Sequence, residues 1–260
     1  MDVHKPKPWH GWREFLKEYA IIVIGVLTAL AAEQGVEWLH WRHQAEAVEA
    51  QLTAEVRSNL LSAYSRINKQ RCYDARLSWL STRLRSGEPW RGAAILVGPA
   101  PSPETIPPLM RAGIYTSASP PVYMASHALW PDSSWTAAVS NGVMLHLAQE
   151  RIDRYSYLYK LFAGMRDAQA AEYETAAKLS ALAFDRPLSE PERTHFLEEL
   201  GQLSFWNVQL ASDAMGVIRI ADRAGIQLRK ADVAKLIDTD RHYFLSKDCA
   251  ESITVPFSSH

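Results

Sequence analysis

Residues 19–32, with the sequence YAIIVIGVLTALAA, form an apolar run between two pairs of tryptophans, Trp9 with Trp12 and Trp38 with Trp41. Tryptophan is enriched where a spanning helix leaves the hydrocarbon and enters the headgroup layer. From Trp12 to Trp38 a helix rises roughly 39 Å, close to the about 40–45 Å of a bilayer with its interfaces. The run therefore predicts one transmembrane helix, with all four tryptophans as interface anchors.

The apolar run alone is shorter than the about 20 residues that a spanning helix usually needs. Phe15 and Leu16 extend it on the N-terminal side, and Val36 and Leu39 extend it on the other. A cleaved signal peptide is the alternative, because residues 29–31 have the A-x-A pattern. The long preceding segment with two glutamates favours an uncleaved anchor. A buried helix of a soluble domain would leave the paired tryptophans unexplained.

The distribution of cations predicts the orientation of the anchor. After the run, Arg42 is the only lysine or arginine before Arg57. The cations before the run are Lys5, Lys7, Arg13 and Lys17. By the positive-inside rule we expect residues 1–17 in the cytoplasm, a transmembrane helix over 18–40 and residues 41–260 in the periplasm. This topology assumes that the membrane is a bacterial inner membrane.

The chain after the run predicts an all-α fold. One apolar stripe continues out of the membrane to about residue 71, and it must pack on the rest of the chain or on a second copy. The stripe consists of Trp41, Ala45, Val48, Leu52, Val56, Leu60, Tyr64 and Ile67. We expect a helical bundle grown from one transmembrane helix.

Further helices are predicted from apolar periodicity and from start and stop signals. Ser189 and Glu192 form a predicted capping box at one helix start, and a cap at Asp132 or Ser133 begins another. The remaining predicted helices cover residues 73–85, 135–140, 147–182, 189–200, 204–224 and 230–237. A weak strand is expected over 253–255.

Residues 88–131 form a predicted irregular loop, because they hold nine of the fourteen prolines. A loop of this length in a compact domain is typically functional or mobile. Within it, only residues 109–114 suggest a short helical turn.

The two cysteines, Cys72 and Cys249, lie far apart in the sequence. In an oxidising compartment they would form one disulfide that ties the C-terminal tail to an early helix. Two buried, unpaired thiols are the alternative.

Gly25, Ala29 and Ala32 form a face of small residues within the predicted anchor. Such a face lets two helices approach closely. Together with the stripe that follows, it favours a homo-oligomer or a place in a larger membrane complex.

The segment EYAIIVIGVL at residues 18–27, running straight into a polar helix, resembles an uncharacterised bacterial family of single-pass membrane proteins. The stretch from Trp135 through Asn141-Gly142 to Tyr159 is similar to a Trp…Ser/Asn-Gly segment with a tyrosine-rich helix in that family. The resemblance implies an N-terminal anchor followed by a helical domain of unknown function. It implies no catalytic residues.

No catalytic, cofactor-binding or metal-binding residue is predicted, because the usual hydrolase, metalloprotease, nucleotide and redox motifs are missing from the sequence. His40 and His43 share a helix face, and interfacial anchoring explains them better than ligation does. His127 beside Ser126 is not a dyad by sequence alone. Core packing is the expected role of Tyr155, Tyr157 and Tyr159, and a solvated helix end explains Asp240, Arg241 and His242.

Two functions follow from these observations. The favoured one is a non-enzymatic, membrane-anchored scaffold, sensor or accessory subunit of an envelope complex, with the lipid bilayer as one partner. The alternative is a periplasmic ligand-binding or hydrolytic domain whose site lies between the proline-rich loop and the tyrosine-bearing helix. The net charge of −1 gives no reason to expect nucleic acid as a partner.

Overall fold

The computed structural model describes residues 11–93, 122, 123, 125 and 128–243, with side chains to residue 238. This part of the chain is helical and contains no strand; one isolated antiparallel bridge joins Trp90 and Arg186. The helices are α1 (Trp12–Asn68), α2 (Gln70–Arg85), α3 (Ser133–Ser140), α4 (Gln149–Lys178), α5 (Glu190–Arg223) and α6 (Lys230–Tyr243). Two short 3₁₀ helices cover Val143–His146, here called the tip turn, and Ser180–Ala183. The predicted all-α class is confirmed.

Helix α1 is one unbroken helix of 57 residues, roughly 86 Å long. Residues 11–44 are exposed, apart from the half-buried Val23 and Trp41. An 18-residue window of this part has a mean hydropathy of 1.9 and buries none of its residues in the protein. Among the described helices, α1 is therefore the one that is long and apolar enough to cross a membrane.

The second part of α1 forms the centre of the folded domain. Its stripe is buried at Ala45, Leu52, Val56, Leu60 and Tyr64, and it is half-buried at Val48 and Ile67. These side chains pack against apolar residues of α3, α4, α5 and α6. The stripe thus packs on the rest of the chain, which is the first of the two predicted alternatives.

Helices α1 and α4 run in the same direction. Thr53 and Tyr155 share a hydrogen bond of 2.8 Å between their hydroxyls, and further along Arg66 pairs with Glu172. Helix α5 returns antiparallel to both, and the carbonyl of Ala224 just beyond its end accepts a hydrogen bond from Arg154, near the start of α4. The three helices enclose most of the core.

Helix α2 and the first part of α5 enclose a second, smaller cluster at the far end of the domain from the apolar segment. Its buried members include Leu80, Leu84, Trp90 and Leu203. The indole of Trp90 donates to the carbonyl of Leu182 at 2.9 Å, which fixes the chain after α2 against the second 3₁₀ helix. The domain therefore has two apolar clusters stacked along its length.

Two predicted helices, 189–200 and 204–224, are one helix in the structure. Helix α5 continues through Gly201, because Leu200 and Leu203 on either side are buried. Burying two leucines stabilises the helix by about 1.5–3 kcal/mol each, which exceeds the about 1 kcal/mol that a glycine costs in a helix. The predicted capping box at its start forms, with the amide of Ser189 donating to Glu192 at 2.8 Å.

Several predictions concern residues outside the described part of the chain. These are the anchor Trp9, the disulfide partner Cys249, the dyad candidates Ser126 and His127, the turn over 109–114 and the strand over 253–255. The side chains of Asp240, Arg241 and His242 are likewise not described.

Candidate functional site

A buried polar cluster lies where α1, α4 and α5 meet, between the two apolar clusters. Arg66 donates from Nη1 and Nη2 to the two carboxylate oxygens of Glu172, at 2.8 and 2.6 Å. Its Nη2 also donates to the side-chain oxygen of Asn207 at 2.5 Å. Arg66 is 4% exposed, and Glu172 and Asn207 are fully buried. One arginine thus joins three helices.

Two further elements reach the same cluster. The hydroxyl of Tyr123, at the end of the proline-rich segment, donates to Glu172 at 3.0 Å. The Asn207 amide donates to Asp74 of α2 at 2.8 Å, and the ring of Tyr73 lies 4.6 Å from the Arg66 guanidinium carbon. The cluster therefore fixes five separate parts of the chain relative to one another.

The surroundings of Arg66 and Tyr123 raise the pKa of both groups. Burial by itself would lower the pKa of Arg66, but the hydrogen bonds and negative charge of Glu172 outweigh it and raise that pKa. Burial and the charge of Glu172 raise the pKa of the Tyr123 hydroxyl far above its ordinary value. Arg66 stays charged and Tyr123 stays a hydrogen-bond donor, so the arrangement holds the helices together.

The sequence carries a signal for this cluster that the prediction missed. Along α4 the buried positions Leu158, Phe162 and Met165 are spaced by three or four residues, and the same spacing continues to Gln169 and Glu172. A polar residue in an apolar stripe indicates a buried position that needs a polar partner.

Asn207 is likewise a polar residue at a buried position in an apolar stripe, here in α5. It lies between Leu203 and Leu210 in a buried stripe of that helix. The periodicity alone therefore marks Asn207 and Glu172 as buried, although it does not say which cation reaches them.

Glu55 of α1 caps the start of α3 from a different part of the chain. Its carboxylate accepts hydrogen bonds from the Ser133 hydroxyl at 2.8 Å, the Ser134 amide at 3.0 Å and the Tyr159 hydroxyl at 2.7 Å. The helix begins where it was predicted, with Asp132 at the N-cap position, but the Asp132 side chain makes no capping bond. A carboxylate is a stronger acceptor than a hydroxyl at the positive end of a helix.

The environment of Glu55 shifts its pKa. Partial burial would raise that pKa, but the hydrogen bonds from Ser134, Tyr159 and Ser133 outweigh it and lower the pKa below its ordinary value of 4.5. Asp132 instead pairs with Arg166 at 2.8 Å.

Arg76 of α2 joins the two described ends of the proline-rich segment. Its guanidinium donates to the carbonyl of Ala93 and to the carbonyl of Val122, the latter at 2.9 Å. The chain therefore enters and leaves residues 94–121 at nearly the same point on α2.

The predicted interface anchors differ in their surroundings. Trp12 and Trp38 are exposed, and the guanidinium of Arg42 lies over the Trp38 ring at 5.4 Å. Trp41 instead stacks on His146 of the tip turn, with ring centroids 4.1 Å apart and 11° between the planes. Trp41 is thus the point where the exposed segment of α1 meets the folded domain.

The predicted association face lies on the exposed segment. Gly25, Ala29 and Ala32 all face outward, and a side chain added at Gly25 would meet no atom within 4 Å. None of the described residues outside α1 covers this face, so the described part of the chain leaves it open to another helix.

Residues that suggest chemistry are dispersed. His40 and His43 are exposed on α1, and the described residues contain no group of three or more His, Cys, Asp or Glu that could hold a metal ion. A surface depression beside His40 is lined by residues of α1 alone, which cannot surround a ligand. Tyr155 and Tyr159 pack in the core as predicted, whereas Tyr157 is exposed.

Comparison of the chain with family models, with curated proteins and with solved structures found no match in any of the three. The resemblance to a family of single-pass bacterial proteins therefore stays a prediction. The same holds for the pairing of Cys72 with Cys249.

Proposed function

We propose that the chain is a membrane-anchored, non-enzymatic helical protein that acts as a scaffold, sensor or accessory subunit of a bacterial envelope complex. The observation that carries the proposal is the continuity of α1, which joins an apolar segment with no buried residue to the central helix of the domain without a break. A large, contiguous apolar surface that is exposed, such as that of the apolar segment of α1, marks a membrane or protein contact. An unbroken helix also holds the domain at a fixed height above the bilayer, as a positioning function requires.

The proposed topology has a cytoplasmic N-terminus and a periplasmic domain. Arg13 and Lys17 precede the apolar segment, and glutamates predominate after it. A reporter that is active only in the periplasm, fused after residue 260, tests this orientation. Activity is expected; a cytoplasmic signal would overturn the topology and remove the oxidising environment for the disulfide.

Self-association through the small face of Gly25, Ala29 and Ala32 is the favoured contact. Gly25→Leu should separate the copies, because a leucine would hold the two helices apart. Gly35→Leu is the matched control, since Gly35 lies on the same helix and also has open space around it.

Purification of the full chain in mild detergent, followed by light scattering, measures this effect. We expect wild type and Gly35→Leu to form a defined oligomer, and Gly25→Leu to shift towards the monomer. A wild-type protein that is strictly monomeric and co-purifies with nothing would contradict the scaffold proposal.

A further inference from the structure

The tip turn lies at the end of the domain that faces the exposed segment of α1. Helix α3 begins beside Glu55, through the hydrogen bonds of Ser133 and Ser134, and the tip turn after it stacks His146 on Trp41. Glu55 and Trp41 are 14 residues apart on α1, or roughly 21 Å. The chain from the start of α3 to the tip turn therefore runs this distance along α1 towards the apolar segment. It therefore reaches the level of a predicted interface anchor.

Helix α4 runs from the tip turn back along α1, away from the apolar segment. Arg151 forms an ion pair with Glu49, and Tyr155 bonds to Thr53, so α4 rises along α1 from the tip turn. Helix α3, the tip turn and the start of α4 thus form a helical hairpin whose tip points along α1 towards the apolar segment.

The tip presents apolar side chains to the outside. Leu145 is 86% exposed, although its neighbours Val143 and Met144 are buried and fix the backbone of the turn. Val139, near the end of α3, is also exposed. A rigid turn that holds a leucine outward next to Trp41 would place that side chain at the edge of a bilayer around α1.

The composition of α3 and the tip turn points to the same surroundings. Residues 133–149 contain no Lys, Arg, Asp or Glu, whereas 22% of the whole chain is charged, which would place about four charges in a segment of this length. Charged side chains are costly near hydrocarbon, while uncharged polar and apolar ones are tolerated at the interface.

We propose that the tip turn is a second membrane contact, with Leu145 inserted among the lipid headgroups of the leaflet on the domain side. The proposal rests on the proposed anchoring of α1 in a bilayer. Two contacts, α1 and the tip turn, would restrict the directions in which the domain can tilt relative to the membrane plane.

Spin labelling of the full chain in phosphatidylethanolamine and phosphatidylglycerol vesicles tests the proposal. Nitroxide labels are placed by Leu145→Cys, by Val26→Cys in the apolar segment and by Val208→Cys on α5. Val208 is 58% exposed and follows Asn207, which contacts Arg66. Arg66 lies 25 residues after Trp41, which is roughly 38 Å along α1. It serves as the matched apolar control far from the membrane. Wild-type protein treated identically corrects for any label on the two native cysteines.

The ratio of accessibility to oxygen and to a water-soluble nickel complex reports the depth of each label. We expect hydrocarbon depth for position 26, headgroup depth for position 145, and full water exposure for position 208. Near-ultraviolet circular dichroism of each variant verifies that the domain is folded.

The possible failures are distinct. If position 145 is as accessible to nickel as position 208 while position 26 lies in hydrocarbon, the tip contact is wrong and the anchor stands. Nickel access at position 26 would refute the anchor itself. Strong spin–spin broadening at position 145 without membrane depth would mean that a second copy covers the tip, which also overturns the lipid contact.

Discussion

Arg66 and Glu172 form a bidentate ion pair in the interior of the domain, although they lie 106 residues apart in the chain. Glu172→Gln removes the negative charge with little change in shape. We expect it to lower the free energy of unfolding by about 3–5 kcal/mol, because Arg66 is then a buried charge without its counter-ion. Chemical denaturation in mild detergent, followed by circular dichroism, measures the loss.

A double variant separates the cost of an unpaired buried charge from the net contribution of the ion pair to the free energy of unfolding. Arg66→Met with Glu172→Met leaves no charge unpaired, so its loss of stability should be smaller than that of Glu172→Gln alone. An equal or larger loss in the double variant would contradict the view that the unpaired charge dominates.

The cap formed by Glu55 predicts a pH-dependent contribution to stability. Folding lowers the pKa of Glu55 below 4.5, so this contribution is complete above about pH 4.5 and is lost as the pH falls through the folded-state pKa. Glu55→Ala should cost about 1–2 kcal/mol at pH 7, as the loss of a helix cap does. The difference from wild type should shrink below pH 4.5.

Denaturation at a series of pH values measures that difference. Glu150→Ala is the control, because Glu150 is an exposed glutamate on α4 whose ion pair with Arg154 lies at the surface. A gap between wild type and Glu55→Ala that stays constant from pH 7 to pH 3 would exclude the capping role.

Two glycines should respond to alanine in opposite directions. A Cβ at Gly92 would collide with the backbone carbonyl of Ala183, whereas a Cβ at Gly201 would meet nothing within 4 Å. Gly92→Ala should destabilise the domain by about 1–3 kcal/mol, as overpacking does, and Gly201→Ala should stabilise α5 by up to about 1 kcal/mol. Thermal unfolding of the two variants compares them directly; a neutral Gly92→Ala would mean that the contact with Ala183 yields easily.

The predicted disulfide between Cys72 and Cys249 can be tested on the full chain from the envelope fraction. Mass spectrometry of an unreduced proteolytic digest should show one peptide pair that separates on reduction. Cys72→Ser should then leave Cys249 reactive towards a thiol reagent. Reactivity of both cysteines in the wild-type protein would show that they are not bonded to each other.

The features that the sequence predicts well depend on residues close together in the chain. The stripe from Ala45 to Tyr64 follows helical periodicity, and the Ser189–Glu192 box needs only three residues of separation. Such local patterns determine which face of a helix is buried and where the helix begins.

The features that the prediction missed depend on partners that are distant in sequence. Glu55 caps a helix that begins 78 residues later, whereas the residues at that helix start predicted a cap by Asp132 or Ser133. Continuity of α5 through Gly201 likewise depends on tertiary burial of Leu200 and Leu203, which local propensity does not include.

If α1 is anchored in a bilayer as proposed, its continuity would couple the thickness of that bilayer to the tilt of the domain. A spanning helix responds to a thinner bilayer by tilting, and typical tilts are about 20°. The part of α1 inside the domain, from Ala45 to Asn68, spans roughly 36 Å, so a tilt of that size would displace its far end sideways by about 12 Å. Because no hinge separates the two parts of α1, the polar cluster around Arg66 would move together with a membrane-anchored apolar segment. Under the proposed anchoring, local membrane deformation would then become a lateral displacement at the far end of the domain.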